Sequence, residues 1–224
     1  MVSKKVSLLE FEQNPNIGLF MFANDKFCLC GKELSKEKKK EIEKILDVPV
    51  YYVSALATEL VGIFITGNND FLIIPELFDY EKKEIEKIAE KHETKIVEIP
   101  NNLNTYGNNL CVGDKEIIIN SEYKKKILKT LEDKTGYKTI PLKNPEHNNA
   151  GALIIYENGK YLVSQELEEK DVKEILPKIS GTGSINSGSG YLASGVVCNK
   201  NGLLIGSMSS TIEIQNIVEN LNFL

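Results

Sequence analysis

Five times along the chain, a short apolar run gives way to a polar turn and then to a second, mainly apolar run. The pattern begins at NIGLFMFANDKFCLC and returns at LVGIFITGNNDFLII, TYGNNLCVGDKEIII, NAGALIIYENGKYLV and ASGVVCNKNGLLIG. Aligned on Gly18, Gly62, Gly107, Gly151 and Gly195, the segments recur at spacings of 44, 45, 44 and 44 residues. Such a period predicts a repeat architecture, here one domain of five units spanning residues 1-224. The turns read Asn24-Asp25, Asn68-Asn69-Asp70, Gly113-Asp114, Asn158-Gly159 and Asn201-Gly202. Asn, Asp and Gly tolerate the positive φ of a tight hairpin, so each unit should open with strand, turn, strand at its glycine.

Apolar residues then change to helical spacing, as in Ile85, Ile88 and Ala89, or Ile214, Ile217, Val218 and Leu221. Helices are expected over Ser35–Leu46, Asp79–His92, Glu122–Leu131, Glu168–Leu176 and Thr211–Leu221, with Ser35 as an N-cap. Four of them lead into a third strand, at Val50–Val53, Ile96–Ile99, Lys138–Pro141 and around Ile179. The fifth unit lacks its third strand because the chain stops at NLNFL, while the N-terminal Val6–Phe11 is spare. The first strand is therefore expected to complete the last unit and close a ring, which covers edges that an open stack of repeats would expose.

Composition narrows the function. Hydrophobic residues make up 42% of the 224, enough for a substantial core, and no apolar run approaches the length of a membrane span. The four cysteines sit among apolar neighbours and read as free thiols of a cytoplasmic protein. All 27 basic residues are lysine and the net charge is −5, which argues against direct gripping of nucleic acid. Most lysines alternate with glutamates on helix faces, as solvated i,i+4 pairs do.

Five units of this size resemble the pentein fold, a five-fold pseudosymmetric α/β propeller. Within it, the motifs resemble those of the translation initiation factor 6 family, in the archaeal form that lacks a C-terminal tail. Gly183 to Ser189 is similar to that family's G-T-x-N-x-G-S run, with Ser184 in the Thr place. Leu103, Gly107 and Asn108 match L-x-x-x-G-N, Thr211 and Glu213 its last element, and Leu72 and Pro75 its G-L-L-x-P segment. Phe71 and Ile63 depart from the pattern. The resemblance implies a protein that docks on the large ribosomal subunit, mainly on a basic ribosomal protein near the sarcin–ricin loop with minor rRNA contact. Docking there blocks the small subunit without covalent chemistry, and a role in large-subunit biogenesis goes with it. No cofactor, metal or membrane is implied, and a monomer is expected.

The segments before each glycine should share one end of the ring. Those segments and the family's motifs, which contribute Asn108 and Asn186, supply the candidate ribosome-binding residues Asn14, Asn16, Thr58, Asn104, Asn108, Asn148, Asn149, Asn186 and Ser189. The same residues could equally be polar turns that satisfy the backbone near the pseudo-axis. A competing reading is a guanidine-modifying pentein hydrolase with Cys198 as nucleophile, His147 as base and Glu59 as a substrate carboxylate. The other histidine, His92, is expected at a helix C-terminus, where a partial positive charge is welcome. The Gly/Ser-rich run 180–195 invites a phosphate-cradle reading, but it lacks a P-loop lysine and no helix starts directly after it.

Overall fold

A computed structural model describes residues 5–144, 146–168, 172, 176 and 179–223. It contains five three-stranded sheets. Each begins with an antiparallel hairpin and adds a third strand parallel to the second. In the first unit Met21–Ala23 pairs with Cys28–Cys30, and Cys28–Cys30 with Val50–Tyr52. The second uses Thr66–Gly67, Phe71–Ile74 and Lys95–Glu98. The third uses Leu110–Val112, Glu116–Asn120 and Lys138–Leu142. In the fourth, Ile154–Glu157 and Lys160–Ser164 are joined by Ile179–Gly183. The fifth takes its first two strands from Val196–Asn199 and Gly202–Gly206 and its third from Lys5–Leu9.

That last strand runs parallel to its neighbour, Lys5 opposite Gly202 and Leu9 opposite Gly206, so the N-terminus completes the final unit. Phe11 falls outside the strand; it forms a separate bridge with Asn14. The crossover helices run over Lys36–Leu46, Asp79–Lys91, Lys125–Thr135 and Thr211–Asn220. The helix expected at Glu168–Leu176 falls mostly outside the described residues. The third helix starts three residues later than the pattern suggests. Asn120 Oδ1 accepts the Glu122 N–H at 2.9 Å and its carbonyl accepts the Tyr123 N–H, holding residues 120–123 in a turn. Gly136, left-handed at φ 75°, stops that helix beyond Leu131.

The middle strands are buried apart from Glu116 and Lys160 at the starts of two of them, because alternate side chains feed different cores. Cys28 and Cys30 pack with Leu9, Val197 and Leu204 of the fifth unit, whereas Phe27 and Leu29 pack with Leu72, Ile74 and Ile85 of the second. The same hand-over continues through Phe71 and Ile73, then Cys111 and Ile118, then Ile155 and Leu162. Five cores thus join five units in cyclic order, and no unit has a core of its own.

A candidate docking rim at the cap end

The anchor glycines do not open strands, as the repeat had suggested. They lie in single helical turns that precede them: Ile17–Leu19, Val61–Phe64, Tyr106–Asn109 and Ala150–Leu153. In the fifth unit the turn is Leu192–Ser194. Its second residue, the position glycine holds elsewhere, is Ala193 rather than Gly195. A Cβ on Gly62 would collide with the Gly18 carbonyl, one on Gly107 with that of Gly62, and one on Gly151 with that of Gly107. The series closes where Gly18 meets the Ala193 carbonyl. Backbone thus touches backbone around the pseudo-axis, which explains the glycines.

The chain enters every turn in one way. Asn16, Leu60, Thr105, Asn149 and Tyr191 have φ between −78° and −84° and ψ between 49° and 75°. In each case the carbonyl before the cap accepts the N–H after it, as in Ile17 to Pro15 at 2.9 Å and Ala150 to Asn148 at 2.9 Å. This is an inverse γ-turn repeated five times. Two residues before three of these caps, the side chains of Asn14, Thr58 and Ser189 accept the cap N–H at 2.9, 3.2 and 3.3 Å. The turn reading accounts for these three side chains, which set the local loop geometry.

Four of the other candidates divide between two networks. Asn186 donates to the Pro15 carbonyl at 3.2 Å and to Asn16 Oδ1 at 3.3 Å, while Ser194 donates to that same oxygen at 3.1 Å. These bonds tie the last unit to the first. Asn120 donates to Asn109 at 2.7 Å and lies 3.4 Å from both Asn148 and Asn149. Asn148 also donates to Glu122 at 3.0 Å. Asn104 contributes its carbonyl to Tyr106, and Asn108 lines the mouth of the axis.

Sequence reasoning missed the groups that hold two of the loops. Buried Glu81 accepts from Ser54 Oγ and the Ala57 N–H at 2.8 Å each and from the Leu56 N–H at 3.0 Å. Glu213 does the same for the Gly/Ser-rich loop, accepting from Ser184 Oγ and the Gly188 N–H at 2.8 Å each and the Ser187 N–H at 3.2 Å. Each is the third residue of its helix and also receives the cap N–H, from Phe78 and Ser210. Burial alone would raise the Glu213 pKa, but the backbone and hydroxyl donors outweigh it and bring it down to about 2. The available signal was a glutamate at the third helical position. In the first unit Lys38 occupies that place and donates to the Glu10 carbonyl at 2.7 Å.

The run 180–195 is therefore not one flexible joint. Its first part, through Gly183, is the outer strand of the fourth unit, and the remainder is the clamped loop. Its carboxylate is the opposite of what a phosphate cradle requires.

Three cavities with shared lining residues follow the pseudo-axis. The mouth at the cap end is about 350 Å3, the middle about 150 Å3, and the mouth among the hairpin turns about 330 Å3. Cys198 lines the last two. Burial pushes its thiol well up, and Glu157 and Asp25 add to the shift. Such a sulfur is a poor nucleophile, because the thiolate is the reactive form. Neither His147 nor Glu59 lines either of those cavities; the His147 N–H is bonded to Asn144 Oδ1 at 2.9 Å, and Glu59 is paired with Lys32 at 2.7 Å. The three residues of the hydrolase reading are thus not assembled. His92 is not favoured in its charged form either: burial, with Lys91 and Lys26, lowers its pKa, and Tyr51 Oη lies 2.9 Å from its Nε2. Among the described residues no cluster of His, Cys, Asp and Glu could hold a metal.

Five sheets in cyclic order, with helices outside and a narrow axis inside, define a pentein, a five-fold pseudosymmetric α/β protein. The solved structure of a dimethylarginine dimethylaminohydrolase variant, as its adduct with S-methyl-L-thiocitrulline, is similar in fold. It matches with a TM-score of 0.51 and 11% identity, over 92% of this chain and 72% of that one. The family model for the eIF-6 family matches residues 6–220, and the chain belongs to that family. The translation initiation factor 6 of Sulfolobus acidocaldarius is 31% identical, over 97% of each chain. That of Staphylothermus marinus is 26% identical over 93% of this chain and 94% of its own. The protein is a translation initiation factor of archaeal type. Among the described residues no helix is long and apolar enough to cross a membrane.

Proposed function

We propose that this protein binds the large ribosomal subunit and prevents its premature joining to the small one, acting also in large-subunit biogenesis. The family match over residues 6–220 carries the reading. Action is by steric occlusion, without catalysis, by a cytoplasmic monomer. The docking surface is the cap-end rim, with Asn16, Asn108 and Asn149 at the mouth of the axis and Asn104, Asn148 and Asn186 beside them. Asn14, Thr58 and Ser189 support it by fixing the loops. The main partner is a basic ribosomal protein near the sarcin–ricin loop, with rRNA in a lesser role. A net charge of −5 favours encounter with a basic partner, with a rate that falls as salt rises.

Sedimentation tests the proposal. The protein should co-migrate with purified archaeal large subunits, not with small ones, and should lower the joined fraction when both are mixed. Migration with neither subunit ends the reading.

A further inference from the structure

The strand that closes the ring is tethered unlike the third strands of the first three units. There the strand follows its helix after two or three residues, as Val50 follows Leu46 and Lys95 follows Lys91. Lys5–Leu9 follows no helix; it is joined to the ring by the loop that runs from Glu10 into the first unit. Val6 and Leu8 are 39% and 47% exposed, so Leu9 and Phe11 are the buried apolar anchors of this segment.

The loop at its base is one of three built to one plan. Phe11 bridges Asn14, Ala55 bridges Thr58 and Ile185 bridges Ser189, and each bridge encloses consecutive left-handed residues. In the second and fifth units Glu81 and Glu213 hold such residues by their N–H groups. The first unit has Glu12 at φ 53° and Gln13 at φ 66°, both exposed and both with a Cβ that crowds the backbone there. Lys38 stands at the third helical position, where the clamps have glutamate. An ammonium accepts no N–H, and it donates instead to the Glu10 carbonyl at 2.7 Å. The loop that carries the closing strand thus has the strain of its two counterparts without their clamp.

We propose that the N-terminal strand is a releasable strap. The segment up to Phe11 leaves the fifth unit by turning about Glu12 and Gln13, while the other four sheets stay folded. Besides the parallel ladder to Gly202–Gly206, release breaks the bonds of Lys5 to the Lys44 carbonyl, Lys38 to the Glu10 carbonyl and Ser207 to the Glu10 carboxylate. It also breaks the edge-to-face contact of Phe11 with Phe20. The outer edge of Gly202–Gly206 is then bare, the middle strand whose outer partner comes from the far end of the chain. Such an opening is sub-global: a segment of low local stability moves on a folded body.

Hydrogen exchange read by mass spectrometry on the full chain tests it. Lys95–Glu98 is the internal control, an outer strand paired in parallel like the strap but tied to a helix. Amides of Val6–Leu9 should exchange at least about tenfold faster than those of Ile96–Glu98. Fraying of a chain end would also speed exchange, so a pair of variants isolates the loop. Lys38→Glu puts a carboxylate where Glu81 and Glu213 stand, and Lys38→Ala removes the Glu10 contact alone. Exchange at Val6–Leu9 should be at least about fivefold slower in Lys38→Glu than in Lys38→Ala, with Ile96–Glu98 unchanged. Equal protection of the two strands in the parent overturns the proposal. Exchange in Lys38→Glu as fast as in Lys38→Ala, or faster, overturns it as well.

Discussion

The loops that lead into the second and fifth units have almost nothing in common as sequence, yet they are built alike. One reads SALAT, the other SINSGS, and only SINSGS has the composition expected of a functional loop. Both begin with a serine hydroxyl donating to a buried glutamate, Ser54 to Glu81 and Ser184 to Glu213. Both then turn through left-handed residues whose N–H groups point at the same carboxylate. The difference lies in what the turn residues tolerate. Leu56 and Ala57 sit at φ 52° and 57°, where a Cβ crowds the backbone, whereas Asn186, Ser187 and Gly188 at 49°, 67° and 102° include types suited to that region. A Gly/Ser-rich stretch is thus no special site by composition. It reaches, with residue types that tolerate the left-handed region, the same clamped turn that SALAT reaches with types that do not.

Removing the clamps should separate the loops most clearly. Glu81→Ala leaves several buried donors unpaired and frees a loop that Leu56 and Ala57 would rather not form, so it should cost about 3–5 kcal/mol. Glu213→Ala should cost less, about 2 kcal/mol, because glycine and asparagine hold the turn more readily. Urea unfolding of both variants measures the gap, and equal losses would break the comparison.

Acid offers a gentler version of the same test. The Glu213 pKa is depressed to about 2 from an ordinary 4.5, so its stabilisation is complete above pH 4.5 and is lost as pH falls towards 2. Glu213→Gln should flatten the stability profile through that range relative to the parent protein. A profile of unchanged slope would show that the clamp carboxylate is not the titrating group.

The smallest effect has the opposite sign. Ala57→Gly relieves a left-handed alanine and should stabilise the fold by about 0.5–1 kcal/mol, read as a rise in melting temperature. Ser187→Gly should gain less, since Gly188 already relaxes its turn. A destabilised Ala57→Gly would mean that the first loop is not strained.

Much of the fold was legible because it rests on local signals. Asn-Gly and Asn-Asp turns mark the hairpins, Ser35 caps the first helix through the Lys38 N–H at 3.2 Å, and the spare N-terminal run implies closure. Errors arose where a residue's role depends on something distant. Gly195 fitted the period, but Ala193 holds the axial position, because the axis demands a close carbonyl contact rather than a particular residue. For the candidate rim, the sequence left two readings open, docking residues and polar turns. It could not show that Asn14, Thr58 and Ser189 are engaged with their own loops, nor that Leu19 and Ala152 share a pocket with Asn108.

The sequence by itself determined five hairpin units, their order and the strand that joins the ends, since period and turn chemistry act between near neighbours. Only the tertiary structure decided what the polar residues do. Asn186 finds Asn16 across 170 residues and Glu81 finds Ala57 across 24, and no local pattern encodes those meetings. They exist because five units without separate cores must pack in a cycle, which brings loops from different units to a common axis.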